Sequence, residues 1–253
     1  ALGFCMTFGT LTPPIFNGLT GGEEHWAKLV AIFTTPAGQT VLAGIGVCVG
    51  GIALCGWAGV SKEHELTDEQ KRETVAEFAL GKGFAVAAMA GILSACFAFG
   101  LAAGKPIAAL SRDLGTRPVF ANTAVLVVIL IGGFLSNAVW CLILNVRNRS
   151  FGDYVTGPAA QQARNYFLSA LGGVIWYFQF FFYGMGTTKL GERYDFSSWS
   201  IHMAFIIIFS NLWGIFFQEW RGTSARTKTL IWAGILTLIA STMIIGYGNY
   251  LAE

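Results

Sequence analysis

Polar and aromatic side chains repeat on one helical face in each of two neighbouring apolar segments of the chain. The first set, at i, i+3, i+4 and i+7, is Trp176, Gln179, Phe180 and Tyr183, and we call it the first stripe. The second stripe has the same spacing and comprises Asp195, Ser198, Trp199 and His202. Amides and hydroxyls exchange hydrogen bonds with ligand hydroxyls, and flat rings pack on a C–H face. The two stripes therefore favour a passage for a neutral, hydroxyl-rich molecule such as a sugar.

Several uncharged residues are candidates for direct contact with such a ligand. They are Trp176, Gln179, Tyr183, Ser198, Asn137 and Asn122. An amide in the middle of a membrane span, such as that of Gln179, needs hydrogen-bond partners that lipid does not provide. For Asn137, hydrogen bonding between helices is the competing interpretation. For Trp199, a place in the interfacial aromatic belt is the alternative.

His202 is the histidine that lies inside a predicted span, and its imidazole titrates near neutral pH. Asp195 precedes it on the same helical face, about 10 Å away at the rise of an α-helix. We predict that these two residues hand protons between the outer solution and the ligand site. The competing interpretation is a neutral imidazole that joins two helices by hydrogen bonds.

The rest of the sequence argues against several classes of protein. Lys, Arg, Asp and Glu are absent from the centres of the apolar runs, which disfavours an anionic ligand. The chain has no GxSxG, HExxH or GxxxxGK[ST] motif, so neither an enzyme nor an ATP-driven transporter is expected. Its five cysteines lack CxxC spacing, and no metal or cofactor is expected. Basic residues do not cluster as in a nucleic-acid-binding domain, and nothing in the sequence indicates an oligomeric state.

Seven apolar runs approach or exceed the length of about 20 residues that a helix needs to cross a bilayer. Hydrophobic residues make up 54% of the 253 residues and charged residues 12%, so an all-α integral membrane protein is expected. The predicted spans are 1–16, 40–60, 83–104, 119–145, 166–186, 196–217 and 229–251. Two glycine pairs at i, i+4, Gly46 with Gly50 and Gly100 with Gly104, predict close approach between helices.

The segments between the spans carry the charges and predict the orientation. After the Pro13-Pro14 pair, which breaks or kinks the first run, residues 17–38 are predicted to be a Gly-rich polar connection. Residues 61–82 form a charged connector in which Thr67 and Gln70 fit a capping box, as in a short surface helix. Ten Lys and Arg residues lie on the connector's side of the membrane and six on the other. The positive-inside rule therefore places the connector in the cytoplasm and the C-terminus in the periplasm.

A faint internal repeat links the two ends of the chain. Residues Val41–Ile45 read VLAGI and Ile231–Ile235 read IWAGI, near the starts of the second and seventh spans. The preceding spans share a phenylalanine followed by small or polar residues, at Phe8 and Phe209. If the repeat is real, the first two spans are related to the last two, as in transporters built from duplicated halves.

Longer strings of the sequence resemble the bacterial L-rhamnose/proton symporter family of the drug/metabolite transporter superfamily. The resemblance lies in WYFQFFFYGMG at Trp176–Gly186, YDFSSWSIHM at Tyr194–Met203 and GTLTPPIFNG at Gly9–Gly18, and in the shorter Leu171-Gly172-Gly173 and Phe217-Gln218-Glu219-Trp220. It implies about ten helices in two inverted five-helix halves. It also implies uptake of L-rhamnose together with protons, by alternating access, across the bacterial inner membrane.

The same resemblance implies a division of the chain. Residues 1–60 would hold the last two helices of the first half, 61–82 the cytoplasmic connector, and 83–253 the complete second half. The chain begins inside an apolar run, and we expect it to lack about three N-terminal helices of such a bundle. Two alternatives stay open: a transporter or exporter of another small neutral metabolite in the same superfamily, and a membrane sugar sensor that does not transport.

Overall fold

A computed structural model describes residues 2–65, 80–189 and 196–252, and these residues form helices joined by short turns, with no strand among them. The helices are α1 Leu2–Thr20, α2 Glu23–Thr34, α3 Pro36–Glu65, α4 Leu80–Ala103, α5 Lys105–Asp113, α6 Ala121–Asn148, α7 Ala159–Thr187, α8 Ser197–Phe216 and α9 Ala225–Tyr250. Single 3₁₀ turns occupy Pro118–Phe120 and Phe151–Tyr154. The all-α prediction is confirmed.

Six helical segments among the described residues are long and apolar enough to cross a membrane. They are Pro36–Glu65, Ala85–Asp113, Pro118–Asn148, Ala159–Thr187, Ser197–Phe216 and Ala225–Tyr250. Each contains or largely overlaps a span predicted from the sequence, so the chain is a multi-pass membrane protein. The first predicted span forms α1, which is helical but is not one of the six.

The region around α2 differs from the prediction. Residues 17–38 were expected to be a polar connection, but they contain α2 and the ends of its neighbours, and α1 continues through the Pro13-Pro14 pair to Thr20. Glu23 and Glu24 lie in the first turn of α2, where carboxylates favour a helix N-terminus. Lys28 donates a 2.6 Å hydrogen bond to Glu24, and this bond together with the lysine charge lowers the pKa of Glu24. Charge pairing of this kind stabilises a surface helix that hydropathy does not reveal.

The chain divides into two compact units, Gly100–Lys189 and Ala1–Phe99 with Leu190–Glu253. In the larger unit α1 packs on α2, α3 and α8, and α3 packs against α9 along most of its length. In the unit Gly100–Lys189 the contacts run from α5 to α6 and from α6 to α7. A small apolar core of Ala108, Ala121 and Val125 holds the first of these contacts.

Glycines allow the backbones of α3 and α9 to approach closely. A Cβ added to Gly44 would lie 2.6 Å from Cγ1 and 2.9 Å from the backbone nitrogen of Ile245. A Cβ on Gly51 would lie 2.8 Å from Cγ of Leu238. The predicted pair Gly46 and Gly50 is the wrong one, because nothing lies within 4 Å of a Cβ at either position. Close packing is mediated by the adjacent face of the same helix.

The prediction for the other glycine pair is confirmed. A Cβ on Gly100 would lie 3.1 Å from Cδ1 of Ile129, and one on Gly104 would lie 3.1 Å from Cβ of Val125. Both partner residues belong to α6. The end of α4 therefore packs on α6 through small residues, within the unit Gly100–Lys189.

Equivalent contacts occur at the two ends of the antiparallel α3–α9 pair, with the roles of the two helices exchanged. Gly44, the fourth residue of VLAGI, lies against Ile245 near the end of α9. Gly234, the fourth residue of IWAGI, lies against Cys55 near the end of α3. A Cβ added to Gly234 would lie 2.5 Å from Sγ and 3.0 Å from the backbone nitrogen of Cys55. Corresponding residues of the two similar segments therefore occupy corresponding places in an antiparallel pair. This is the contact pattern expected of an approximate two-fold axis between the two helices.

Candidate functional site

The first stripe lies on α7, a 29-residue helix that begins after Pro158. The Trp176 side chain is 55% exposed, and its ring meets that of Phe180 edge to face with 4.9 Å between centroids. Phe180 is buried, whereas Gln179 and Tyr183 are half-buried. One face of α7 therefore offers an accessible indole ring with an amide and a phenol further along the helix.

Asn122, one of the candidate ligand residues, joins α6 to α7. Its side-chain amide donates to the carbonyl of Gly184 at 3.1 Å and to Oγ1 of Thr187 at 2.9 Å. Both acceptors lie in the last turn of α7, so the amide fastens the two helices together at this end. Contact between Asn122 and a ligand stays a prediction.

Asn137 lies in the middle of α6 and is exposed. Its side-chain amide donates a 2.8 Å hydrogen bond to the carbonyl of Gly133, one turn earlier in the same helix. This local bond satisfies one amide hydrogen without a partner from another helix. Contact between Asn137 and a ligand stays a prediction.

The second stripe lies at the start of α8, and its side chains pack against α1. The Trp199 side chain is 3% exposed, and its Nε1 donates a 3.1 Å hydrogen bond to the carbonyl of Cys5. The ring of Phe97 stacks on it at 5.7 Å between centroids. Gly9 faces the indole, where an added Cβ would lie 2.7 Å from Cδ1. Trp199 therefore belongs to the interior of its unit, so the interpretation of Trp199 as an interfacial residue does not hold.

Two buried hydroxyls next to the second stripe were not identified from the sequence. Thr10 of α1 and Ser200 of α8 are fully buried, and their side-chain oxygens are 2.8 Å apart. At the same end of α8, Asn249 of α9 donates to Oγ of Ser197 at 2.9 Å. The sequence signal for these hydroxyls was the group of serines at Ser197, Ser198 and Ser200. The helical spacing that defines the second stripe includes only Ser198 of the three. Ser198 itself is 5% exposed.

His202 is half-buried on α8, with its ring centroid 5.6 Å from that of Trp199. The imidazole therefore lies at the edge of the polar contact between α1 and α8. Asp195, its predicted partner in proton transfer, lies outside the described residues. The geometry of the predicted Asp195–His202 pair therefore stays a prediction.

The candidate residues belong to two units. Trp176, Gln179, Tyr183, Asn122 and Asn137 lie in the unit Gly100–Lys189, and Ser198 and His202 lie in the other. Across the described ranges no three His, Cys, Asp or Glu side chains form a group that could hold a metal ion. The candidates supply uncharged hydrogen-bonding groups, aromatic rings and one imidazole. This is a set suited to binding a polyhydroxylated neutral molecule and to carrying a proton.

Comparison with known proteins agrees with the resemblance noted above. The family model described as L-rhamnose-proton symport protein (RhaT) matches residues 1–251. The L-rhamnose-proton symporter of Mannheimia succiniciproducens is 32% identical over 250 residues, which are 98% of this chain and 69% of that protein. The symporter of the same name from Klebsiella pneumoniae is 34% identical over the same shares of the two chains. No solved structure matches the chain at a significant level.

Proposed function

Because the chain belongs to the L-rhamnose-proton symport protein family, we propose that it carries L-rhamnose together with protons across the bacterial inner membrane. The observation that carries this proposal is the match of the family model to residues 1–251, nearly the whole chain. Six segments in the described part of the chain are long and apolar enough to cross a membrane and have uncharged centres, which fits a carrier of a neutral sugar.

The sugar contacts the first stripe in this proposal. The exposed indole of Trp176 packs on the C–H face of the sugar ring, and the Gln179 amide exchanges hydrogen bonds with its hydroxyls. Tyr183, further along the same helix, adds a phenol to this polar face. The half-buried positions of Gln179 and Tyr183 support this role, since such a group is both held by the protein and reachable by a ligand.

The proton is carried by His202, with Asp195 as the group that exchanges it with the outer solution. Transport proceeds by alternating access, and coupling requires that the proton bind one conformation more tightly than the other. Supporting this assignment, the His202 ring lies 5.6 Å from that of Trp199, which is hydrogen-bonded to α1, so a change in the charge of His202 would be felt at the contact between α1 and α8.

The chain holds the last two helices of one five-helix repeat in residues 1–60 and all of a second, inverted repeat in 83–253. The antiparallel contacts of Gly44 with Ile245 and Gly234 with Cys55 support an inverted relation between α3 and α9. The excess of basic residues on the side of residues 61–82 supports a cytoplasmic connector and a periplasmic C-terminus.

Uptake of labelled L-rhamnose by proteoliposomes tests the function. We expect uptake to increase with an inward proton gradient, to collapse with a protonophore, and to be accompanied by alkalinisation of the outer solution. Uptake without dependence on the gradient would contradict proton coupling, and binding without uptake would favour a sensor. Competition by fucose, mannose and lyxose then separates a rhamnose carrier from a transporter of another neutral metabolite.

Substitution of His202 tests the proton assignment. His202→Gln keeps a hydrogen-bonding side chain but cannot carry a charge, so we expect rhamnose-induced alkalinisation to disappear while rhamnose still binds. The accompanying control is His25→Gln on α2, an exposed histidine whose Nδ1 donates a 2.8 Å hydrogen bond to the carbonyl of Gly21. Normal alkalinisation in His202→Gln would remove His202 from the mechanism without affecting the family assignment.

A further inference from the structure

A cavity of about 480 Å³ lies at the turn that joins α8 to α9. Its polar lining comes from the turn and the first turn of α9, with Gln218, Arg221 and Lys228. Its apolar lining comes from within the two helices and includes Ile231 and Trp232. The cavity thus joins a cationic end to an apolar end, in the direction from the membrane surface toward the membrane interior.

Among the residues that the structure describes, no carboxylate forms an ion pair with the cations of the cavity. The ion pair found in the described parts of the chain is Lys28–Glu24, on α2. Arg221 donates instead to the amide oxygen of Gln218, at 3.2 Å. Two cations therefore remain available to an anion from outside the protein.

Two carboxylates near this turn, those of Glu65 and Glu219, are engaged elsewhere. Glu65 accepts hydrogen bonds of 2.6 Å from the backbone and the hydroxyl of Ser224 and from the hydroxyl of Thr227. Its charge therefore compensates the N-terminus of α9 rather than the cavity. The carboxylate of Glu219 lies against Gly214, 3.0 Å from where a Cβ on that glycine would be.

Aromatic side chains place this cavity at the level of the lipid headgroups. Trp213, Phe216 and Phe217 form an exposed cluster of rings at the end of α8. Trp220 also lines the cavity, and Lys62 lies over its ring at 5.0 Å from the ring centroid. This contact holds the Trp220 side chain in place. Rings and basic residues of this kind collect at the membrane–water interface. The distribution of Lys and Arg predicts the cytoplasmic side for this turn, the side that faces anionic lipid.

We propose that this cavity binds the headgroup of an anionic phospholipid. The phosphate lies between Arg221 and Lys228, and the glycerol and the start of the acyl chains pack on Ile231 and on Trp232, which is 47% exposed. A free phosphate would use the two cations and leave this apolar lining without a partner. A lipid satisfies both parts of the cavity.

Native mass spectrometry of the detergent-solubilised chain, with phosphatidylglycerol and phosphatidylcholine in equal amounts, tests the proposal. We expect one phosphatidylglycerol to be retained in preference to phosphatidylcholine by about tenfold, since two surface cations favour an anionic headgroup. The double variant Arg221→Gln with Lys228→Gln should lose this preference. The matched control is Arg226→Gln, an exposed arginine of the same segment that does not line the cavity, and it should keep the preference.

Equal retention of the two lipids by the unaltered chain would overturn the proposal, as would an equal loss in Arg226→Gln. Inorganic phosphate, added at millimolar concentration, should leave the lipid bound; displacement of the lipid would assign the cavity to a free anion instead. The single variant Lys228→Gln, checked by thermal unfolding, provides the test if the double variant does not fold. It should lose about half of the preference on a logarithmic scale.

Discussion

The stripes on α7 and α8 have the same spacing in the sequence but different surroundings in the structure. Trp176 on α7 is 55% exposed, whereas Trp199 on α8 is 3% exposed and donates a hydrogen bond to the backbone of α1. Gln179 is half-buried, whereas Ser200, next to the second stripe, is fully buried against Thr10. Equal periodicity thus covers an accessible face in one helix and a packed face in the other.

This difference separates groups that can bind a ligand from groups that hold helices together. A tryptophan whose ring is stacked, hydrogen-bonded and covered has no surface left for a sugar. This contrast is consistent with the proposal that the sugar contacts α7, that most of the α8 stripe supports the fold, and that His202 carries the proton. We expect substitutions on the two helices to have effects as different as their surroundings.

The largest difference between the two regions should come from added side-chain volume, measured as the change in protein stability. In Gly9→Ala the new Cβ meets the indole of Trp199, which cannot move away from Phe97 and Cys5, so we expect a loss of about 1–3 kcal/mol. In Gly173→Ala on α7 nothing lies within 4 Å, and the stability should stay level or increase by up to about 1 kcal/mol. Thermal unfolding in detergent compares the two variants. Equal destabilisation would show that the two faces are packed alike.

Removal of one hydrogen-bond donor should give an intermediate effect. Trp199→Phe keeps an aromatic ring but loses the bond from Nε1 to the Cys5 carbonyl, which we expect to lower the unfolding free energy by about 1 kcal/mol. Trp176→Phe changes an exposed ring and should alter stability by less than about 0.5 kcal/mol. A larger loss in Trp176→Phe than in Trp199→Phe would reverse the assignment of the two rings.

The smallest effect concerns the contact between α6 and α7. The bond from Asn122 to Thr187 should contribute about 0.6 kcal/mol in a double-mutant cycle of Asn122→Ala and Thr187→Ala. Asn137→Ala, whose amide donates within its own helix, serves as the matched control and should show no coupling to Thr187. A coupling energy of zero for Asn122 would indicate that its amide is available to a ligand instead.

Much of the fold follows from hydropathy, since lipid requires long apolar helices with charges between them. This requirement predicts the spans that become α3, α4 and α6 to α9. It does not predict α2, a short charged helix that packs on α1 and α3. Nor does it select Gly44 and Gly51 over the spaced pair Gly46 and Gly50. Any face of a glycine-rich helix can pack closely, and the partner helix determines which one does.

Less of the candidate site follows from the sequence. Helical periodicity shows which residues share a face, but it does not show which other parts of the chain pack on that face. Gln179 and Trp199 both appear as polar-face residues, and contacts with α1 distinguish Trp199 as a packing residue. Thr10 was not selected because it lies in a different span, far from Ser200 along the chain. Contacts between distant segments of this kind require coordinates or aligned relatives.

The central claim is that α7 contacts the sugar while the Trp199 region supports the fold. The direct test is proton-driven uptake of L-rhamnose, measured per folded molecule, for Gln179→Leu on α7 and Trp199→Phe on α8. Gln179→Leu removes the protein amide that hydrogen-bonds to the sugar, so we expect uptake to fall about tenfold or more while the folded yield stays normal. Trp199→Phe should lower the folded yield but leave uptake per folded molecule near that of the unaltered chain. Full uptake by Gln179→Leu, or inactive but folded Trp199→Phe, would contradict the account.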